Sequence, residues 1–394
     1  MLAPKATTDH GAQRMIENLK KCMIAAVALG ASTASASTPA ERLKTLLDDA
    51  AETAAVQGSF LVINDGAIAF EYCLGTDRSE PDEQITPETR FEIASITKPI
   101  TAIAIATLAE REILDIDAPA SRYLNNFPHQ SITVRQLLNH TSGLPNQASF
   151  IAKHWNKSRP ATNANLLATL AQAGVELVAA PGEKVVYSNI NYWILALIIE
   201  ETSGEPFETY LQNHVFIPLE MSDTSVRAAP LEPATAPPRV AVSEVIDSEG
   251  DWVRAGDTPS SAFVDFLAPT LGAVHITSTP RDLVKLMPAL RGEAIINRAT
   301  AREMTKPARL NNDEMAVSGT WKPHAVGLGW KLSRPAEVWH DGNWGGFVSY
   351  ASFQPEDNDA FIYLLNRTPT DYSPLPSILA AVGEIQNPQS PADR

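Results

Sequence analysis

The sequence predicts an α/β fold of the α+β kind: an antiparallel sheet built from both ends of the chain and flanked by helices, with a helical lobe inserted between the sheet-forming parts. Three observations predict it. Short apolar runs with strand-like spacing, bounded by turn residues, occur near the start and again after Ala325. The stretch between, about 95–300, shows helical spacing, and strands at both ends around a helical middle form one sheet most simply. The chain has 394 residues, 44% of them hydrophobic and 20% charged, so it can bury a core under such a sheet and is not a disordered polymer.

Residues 1–36 read differently from the rest. Lys20 and Lys21 precede an apolar run, Cys22 to Leu29, which is followed by Gly30, small residues and Ala34-Ser35-Ala36. That order of charge, apolar run and small residues is expected of a secretory signal cleaved before Ser37, with Met15 a candidate start. The alternative is a frayed amphipathic helix. The apolar run is shorter than the ~20 residues that span a bilayer, so no stable membrane span is expected after cleavage. The expected location is periplasmic or secreted.

From Thr38 to Ala54 the pattern is helical, with Leu43, Leu46 and Leu47 on one face. Ser59 to Ile63 and Ala67 to Cys73 are strands, and Asn64-Asp65-Gly66 between them is a hairpin signal. Helices are expected over Pro99–Glu112, Val134–Asn139, Asn163–Ala173, Tyr192–Thr202, Phe207–Val215 and Pro280–Leu290, the last opened by Thr279-Pro280-Arg281-Asp282. Residues 226–268, rich in proline, alanine and acids, read as a long surface excursion of the kind that roofs a site. Strands return over Val326–Leu332, Glu337–His340, Gly346–Gln354 and Ala360–Asn366, and a helix over Ser373–Ile385 follows. The expected organisation is a signal over 1–36 and one domain over 37–394, with sheet from about 40–90 and 326–386 and the helical lobe from about 95–300.

The balance of 46 acidic against 31 basic residues, a net charge of −15, repels phosphate and argues against nucleic acid as a partner. Two cysteines, Cys22 and Cys73, make neither a disulfide framework nor a cysteine-only metal site. His140, His154, His275 and His324 are scattered without metal-ligand spacing, and no metal or other cofactor is expected.

Three short stretches carry chemistry. The first is Phe91-Glu92-Ile93-Ala94-Ser95-Ile96-Thr97-Lys98-Pro99. Proline is tolerated only in the first turn of a helix, so a helix must begin near Ser95 or Ile96, which puts Lys98 on the same face as the Ser95 hydroxyl. A serine alcohol is a weak nucleophile until a neighbouring base takes its proton, and a desolvated lysine can be that base. Taken alone, the spacing is better read as a capping serine and a solvated lysine. The second is Pro181-Gly182-Glu183-Lys184-Val185-Val186-Tyr187-Ser188-Asn189, ahead of a strongly apolar helix. Tyr187 could be a buried aromatic and Asn189 a helix cap, or the phenol could relay protons beside an ammonium. The third is His340-Asp341-Gly342-Asn343-Trp344-Gly345-Gly346-Phe347 at a strand edge, where glycine lets a ligand or backbone come close.

In this order, Ser95-x-x-Lys98, Tyr187-x-Asn189 and His340-x-Gly342 resemble the penicillin-recognising serine hydrolases, in particular the branch of class C β-lactamases, D,D-peptidases and related peptidases and esterases. The resemblance covers about residues 40–386, including Leu137-Leu138-Asn139-His140-Thr141-Ser142-Gly143-Leu144-Pro145 and Phe216 to Thr224. It implies a β-lactamase/transpeptidase-like fold and an acyl-enzyme formed on Ser95. Lys98 and Tyr187 would share the general-base work, and the backbone N–H groups of Ser95 and Asn343 would hold the oxyanion. Asn189 would bind the substrate amide, and His340, with Gly342, would face the substrate carboxylate or a polar leaving end.

The chain departs from the class C pattern at His340, where those β-lactamases carry Lys-Thr-Gly. A histidine with an ordinary pKa of about 6.5 supplies a cation there only partly at neutral pH. Arg281 and Arg135 are conceivable carboxylate partners that nothing in the sequence aims. The resemblance therefore implies a secreted peptidase or amidase on short peptides with D- or unusual residues, of the D,D-carboxypeptidase, D-aminopeptidase or linear non-ribosomal peptide hydrolase type. The alternatives are an esterase or acyl-transferase on small acyl esters, a β-lactamase, against which His340 argues, and a catalytically silent binding module, against which the intact motifs argue. The expected partner is a small peptide or acyl-ester substrate.

Overall fold

Thr38 opens the first helix, α1 (Pro39–Ala54), through a reciprocal cap: its hydroxyl accepts from the Glu41 N–H while the Glu41 carboxylate accepts from the Thr38 N–H. Pro39 follows at the first helical position, where a missing N–H leaves no bond unmade. The computed structural model describes residues 37–77, 83–227, 239–319, 323–333 and 336–387, and the signal expected over 1–36 lies outside them.

After α1 come β1 (Gly58–Asn64) and β2 (Ala67–Leu74), joined by Asp65 and Gly66, whose φ values of 50° and 78° are the left-handed conformations a two-residue hairpin turn requires. The helical lobe contributes α2 (Thr97–Glu110), α3 (Val134–Leu138), α4 (Gln147–His154), α5 (Asn163–Gln172), α6 (Asn189–Ser203) and α7 (Phe207–Leu211). A small antiparallel sheet accompanies it, in which β7 (Ile276–Ser278) lies between β3 (Phe91–Glu92) and β4 (Ser225–Val226). α2 and α6 are apolar all round and buried along most of their length, as central helices of a lobe must be.

Further along are the hairpin β5 (Glu244–Ile246) and β6 (Trp252–Arg254), then α8 (Phe263–Phe266), α9 (Pro280–Val284), α10 (Met287–Arg291) and α11 (Arg298–Met304). The last part supplies β8 (Val317–Ser318), β9 (His324–Val326), β10 (Lys331–Leu332), β11 (Val338–Trp344), β12 (Phe347–Gln354), β13 (Asp359–Leu365) and α12 (Leu375–Gln386). The main sheet is antiparallel in the order β2-β1-β13-β12-β11-β10-β9-β8, so the first strand pairs with the last, Gly58 opposite Leu365. This is the antiparallel sheet from both ends of the chain, flanked by helices, that the sequence predicts. α1 and α12 cover one face through Leu43, Leu47, Ile378 and Val382, while the other face carries the large core shared with the lobe.

Several expected spans divide or move. Val326–Leu332 is two strands around a turn, because Gly329 (φ 82°) sits so close to α2 that a Cβ there would lie 2.5 Å from the Ala102 methyl. Pro280–Leu290 breaks after Val284, the residue whose carbonyl the Pro288 ring would meet four positions on. Phe207–Val215 is α7 followed by a π turn, Gln212–Phe216. Residues 239–268 are not a loose roof: Val240, Ala241, Val242, Ala255 and Leu267 are buried, and Phe263 packs edge-on against Trp344 at 4.8 Å. The rest of that excursion, 228–238, lies outside the described residues.

Candidate active site

Ser95 occupies a single 3₁₀ turn, Ala94–Ile96, which runs directly into α2, so Pro99 falls in the first helical turn as its ring demands. Ala94 adopts φ 49°, a left-handed conformation that disfavours any residue with a Cβ. The surroundings over-determine it. Glu92 Oε1 accepts from the Ala94 N–H at 3.2 Å and from the His275 N–H at 2.8 Å, while Ser349 Oγ donates to the Ile93 carbonyl at 2.7 Å. The strained turn is thus clamped from β3, β7 and β12, and it fixes the direction of the Ser95 hydroxyl.

Ser95 Oγ lies 2.9 Å from Lys98 Nζ and 3.0 Å from the Tyr187 hydroxyl. Lys98 is fully buried, donates to the Ala273 carbonyl at 2.9 Å and lies over the rings of Tyr187 and Tyr192. Burial holds its pKa well below the usual lysine value, and the nearby Lys331 ammonium pushes in the same direction. The Tyr187 phenol is driven the other way, upward, by burial. The pair is therefore an amine whose charged form is disfavoured and a phenol that keeps its proton.

Tyr187 is supported by a residue that sequence reasoning set aside among scattered histidines. His140 packs on its ring at 4.4 Å, and His140 Nδ1 accepts from the Asn191 amide (2.9 Å) and the Ser188 N–H (3.3 Å), which leaves the proton on Nε2. Burial disfavours the charged form of this ring. The signal was present in the stretch Leu137–Pro145, but only the fold shows that it meets Tyr187. The cap of α6 is Ser188, whose hydroxyl accepts from the Ile190 N–H and donates to the Pro145 carbonyl; Asn189, expected as a possible cap, is the first helical residue. Asn189 is buried, two residues beyond Tyr187, and its Oδ1 has no hydrogen-bond partner among the described residues.

His340, Gly342 and Asn343 lie inside β11, which runs on to Trp344 instead of ending at His340 as expected. β10 pairs with β11 only opposite Trp339 and Val338. Gly342 touches the nucleophile turn: a Cβ there would fall 2.8 Å from both the Ala94 Cβ and the Ile93 carbonyl oxygen. The His340 ring lies 6.5 Å from that of Tyr187, and its Nδ1–H donates to the Asp341 carbonyl at 2.6 Å. Burial first, and Lys331 second, press its pKa below the usual imidazole value, so it supplies no cation at neutral pH. The partial charge expected of it is absent.

Among the described residues the cation at this edge is Lys331, which sequence reasoning passed over. Its ammonium pairs with the Asp341 carboxylate and lies 4.9 Å over the Trp339 ring. Arg281 is engaged by Glu71 and Glu88, and Arg135 by Asp117 and Glu303. Among the described residues no three His, Cys, Asp or Glu side chains are grouped to hold a metal, and no helix is long and apolar enough to cross a membrane.

A family model described as Beta-lactamase matches residues 43–382. The chain belongs to the β-lactamase family. Members of this family are serine hydrolases, and the chain is a serine hydrolase on the same grounds. It is 29% identical over 366 residues to penicillin-binding protein 4* of Bacillus subtilis (strain 168), covering 90% of this chain and 79% of that one. It is 26% identical to protein flp of Staphylococcus aureus (strain N315), over 78% of this chain and only 59% of that relative's length. Among solved structures, EstCE1, a hydrolase with promiscuous acyltransferase activity, superposes with a TM-score of 0.72 at 22% identity, covering 87% of this chain and 98% of that one. A D-stereospecific amidohydrolase from Streptomyces sp. superposes at 0.66 and 21% identity, covering 89% and 99%. These likenesses place the β-lactamase family fold over most of the described chain.

Proposed function

We propose that this β-lactamase-family hydrolase is an exported amidase or peptidase that acylates Ser95 with short peptides carrying D- or otherwise unusual residues. The observation that carries the reading is the placement of Ser95 Oγ between a buried amine at 2.9 Å and a buried phenol at 3.0 Å. As Oγ attacks the scissile carbonyl, Lys98 takes its proton, and the backbone N–H groups of Ser95 and Asn343 hold the oxyanion. One such donor is worth on the order of a hundredfold or more in rate. Collapse expels the amine, which needs a proton to leave. Tyr187, kept protonated by burial, delivers it and is reprotonated through Lys98, so both groups return to their starting forms. Water then attacks the ester by the reverse path. Asn189 binds the substrate amide.

A leaving nitrogen needs a proton more than a leaving alkoxide does, and the protonated Tyr187 phenol beside Ser95 is placed to supply one. That favours amide cleavage, and the likeness to the D-stereospecific amidohydrolase agrees with it. The second reading, an esterase or acyl-transferase on small acyl esters, is favoured by the likeness to EstCE1. A neutral His340 beside an anionic Asp341 opposes a β-lactamase, whose substrate presents a carboxylate. Export rests on the Lys20-Lys21, Cys22–Leu29 and Ala34-Ser35-Ala36 sequence and predicts a mature N-terminus at Ser37.

The test is intact-mass spectrometry after incubation with a penicillin and with an activated ester, followed by peptide mapping. An adduct on Ser95 that is absent in Ser95→Ala is expected with at least the ester. No adduct with either reagent, or unchanged turnover in Ser95→Ala, refutes the mechanism. A peptide panel with D- and L-termini then separates peptidase from esterase.

A further inference from the structure

We infer that the Lys331–Asp341 pair makes this site selective for substrates carrying an ammonium group within about one residue of the scissile carbonyl, and selective against those carrying a carboxylate there. The inference rests on the acyl-enzyme reading above and adds the charge class of its substrate.

The placement follows from strand register. Lys331 stands opposite Trp339, so its side chain shares a face of the sheet with Trp339 and, two residues on, with Asp341. The ammonium is thereby held between the Asp341 carboxylate and the indole ring, and its side chain keeps only 17% exposure. Asp341 is 52% exposed. It follows His340 directly and lies two residues before Asn343, the proposed oxyanion donor, on the part of β11 beyond the reach of β10.

The two partners are therefore unequal. Lys331 is enclosed and committed, whereas the Asp341 side chain, paired through Oδ1, is half exposed. Among the described residues the titratable groups around the pair include Lys98, His140 and His340, all disfavoured as cations by burial, and Tyr187 and Tyr363, disfavoured as anions. An ammonium arriving at this edge finds a carboxylate already half in solvent. A carboxylate would have to take Lys331 away from Asp341 and then lie beside that anion. The pair thus turns a place where a penicillin-type substrate would seek a cation into one that receives an amine.

The effect is sized by the exposure of Asp341. Half-exposed ion pairs change affinity by a few-fold to about tenfold, and salt weakens them. The experiment uses three matched nitroanilides, and in parallel three matched nitrophenyl esters, identical except for an ammonium, a neutral or a carboxylate group, placed in turn on the acyl and on the leaving side. In the parent, kcat/KM is expected to rise from carboxylate through neutral to ammonium in at least one placement. The ammonium advantage should be about fivefold, lie mainly in KM and shrink at high ionic strength. Asp341→Asn and Asp341→Ser should each remove that advantage relative to the neutral substrate, which serves as the internal reference. Lys331→Met should enlarge it and deepen the carboxylate penalty, because the anion then stands alone.

No ammonium preference in either placement overturns the inference. So does a carboxylate preference that Lys331→Met abolishes, because that would make Lys331 the receptor. Failure of the neutral ester to acylate Ser95 overturns the underlying acyl-enzyme reading instead, so the two failures are distinguishable.

Discussion

Replacing Gly342 by alanine tests the claim that β11 and the nucleophile turn are held in contact. Gly342 has no left-handed backbone to defend, so the cost is one of space. The new methyl carbon would meet Ser349 Oγ at 2.4 Å, the Ala94 Cβ at 2.8 Å and the Ile93 carbonyl oxygen at 2.8 Å. Ordinary contact at 3.4 Å needs a retreat of about 1 Å from the first and about 0.6 Å from the other two. Ser349 cannot swing away freely, since its hydroxyl donates to the Ile93 carbonyl and helps clamp the strained Ala94. The separation must then open between β11 and the turn bearing Ser95. Overpacking of this kind costs about 1–3 kcal/mol of stability, and a displacement near 1 Å costs on the order of a hundredfold in rate. The assay is kcat/KM with an activated ester, with the Ser95 adduct followed by mass and the thermal midpoint measured alongside. Activity within about threefold of the parent at an unchanged midpoint would show that β11 and the turn do not need their contact, and would refute the geometry on which the oxyanion site depends.

Tyr187→Phe should lower turnover of an amide far more than that of an activated ester, because a nitrophenolate leaves without a proton; equal losses would remove the phenol from the leaving-group step. The acid limb of kcat/KM for a neutral ester should report Lys98: rate falls as pH drops and the amine is protonated. In Lys331→Met that limb should move to higher pH, since the repulsion that helps hold Lys98 neutral is gone; a limb that stays put refutes the coupling. His140 and His340 are buried with lowered pKa values, so between about pH 5.5 and 6.5 the unfolded chain binds more protons than the folded one and stability should rise with pH. Glu200 and Asp359, raised by burial, act in the opposite sense above their ordinary carboxylate values. Thermal midpoints across that window should climb, with a shallower slope in His340→Asn, and a flat profile in the parent would contradict the buried neutral imidazoles.

What could be read in advance follows a physical division. Ser95 and Lys98 were legible because Pro99 dictates where a helix begins, and the α2 start obeys it. The hairpin at Asp65-Gly66 was legible because its turn chemistry is local. Tyr187 was placed by its order among the motifs, but its support by His140 depends on two loops meeting. The division of Val326–Leu332 was hidden, because it arises from Gly329 pressing on Ala102 across the sheet–lobe interface. Lys331 was hidden for a similar reason: its pairing with Asp341 is a matter of strand register, and alternation within one strand says nothing of the offset to the next. The neutrality of His340 is likewise a product of burial, which a sequence position does not carry.

The pairing of β1 with β13 has a consequence for biogenesis. Ser95 emerges early in synthesis, whereas β11, with His340 and Asn343, and β13 emerge late, and the β1–β13 pair of the sheet joins segments from the two extremes of the fold. Contacts so distant along the chain close slowly and late in folding. A nascent chain therefore carries Ser95 without the strand that completes its surroundings. Hydrolytic competence appears only when the last strand is zipped in, so acylation by an activated ester also reports how many molecules in a preparation have finished folding.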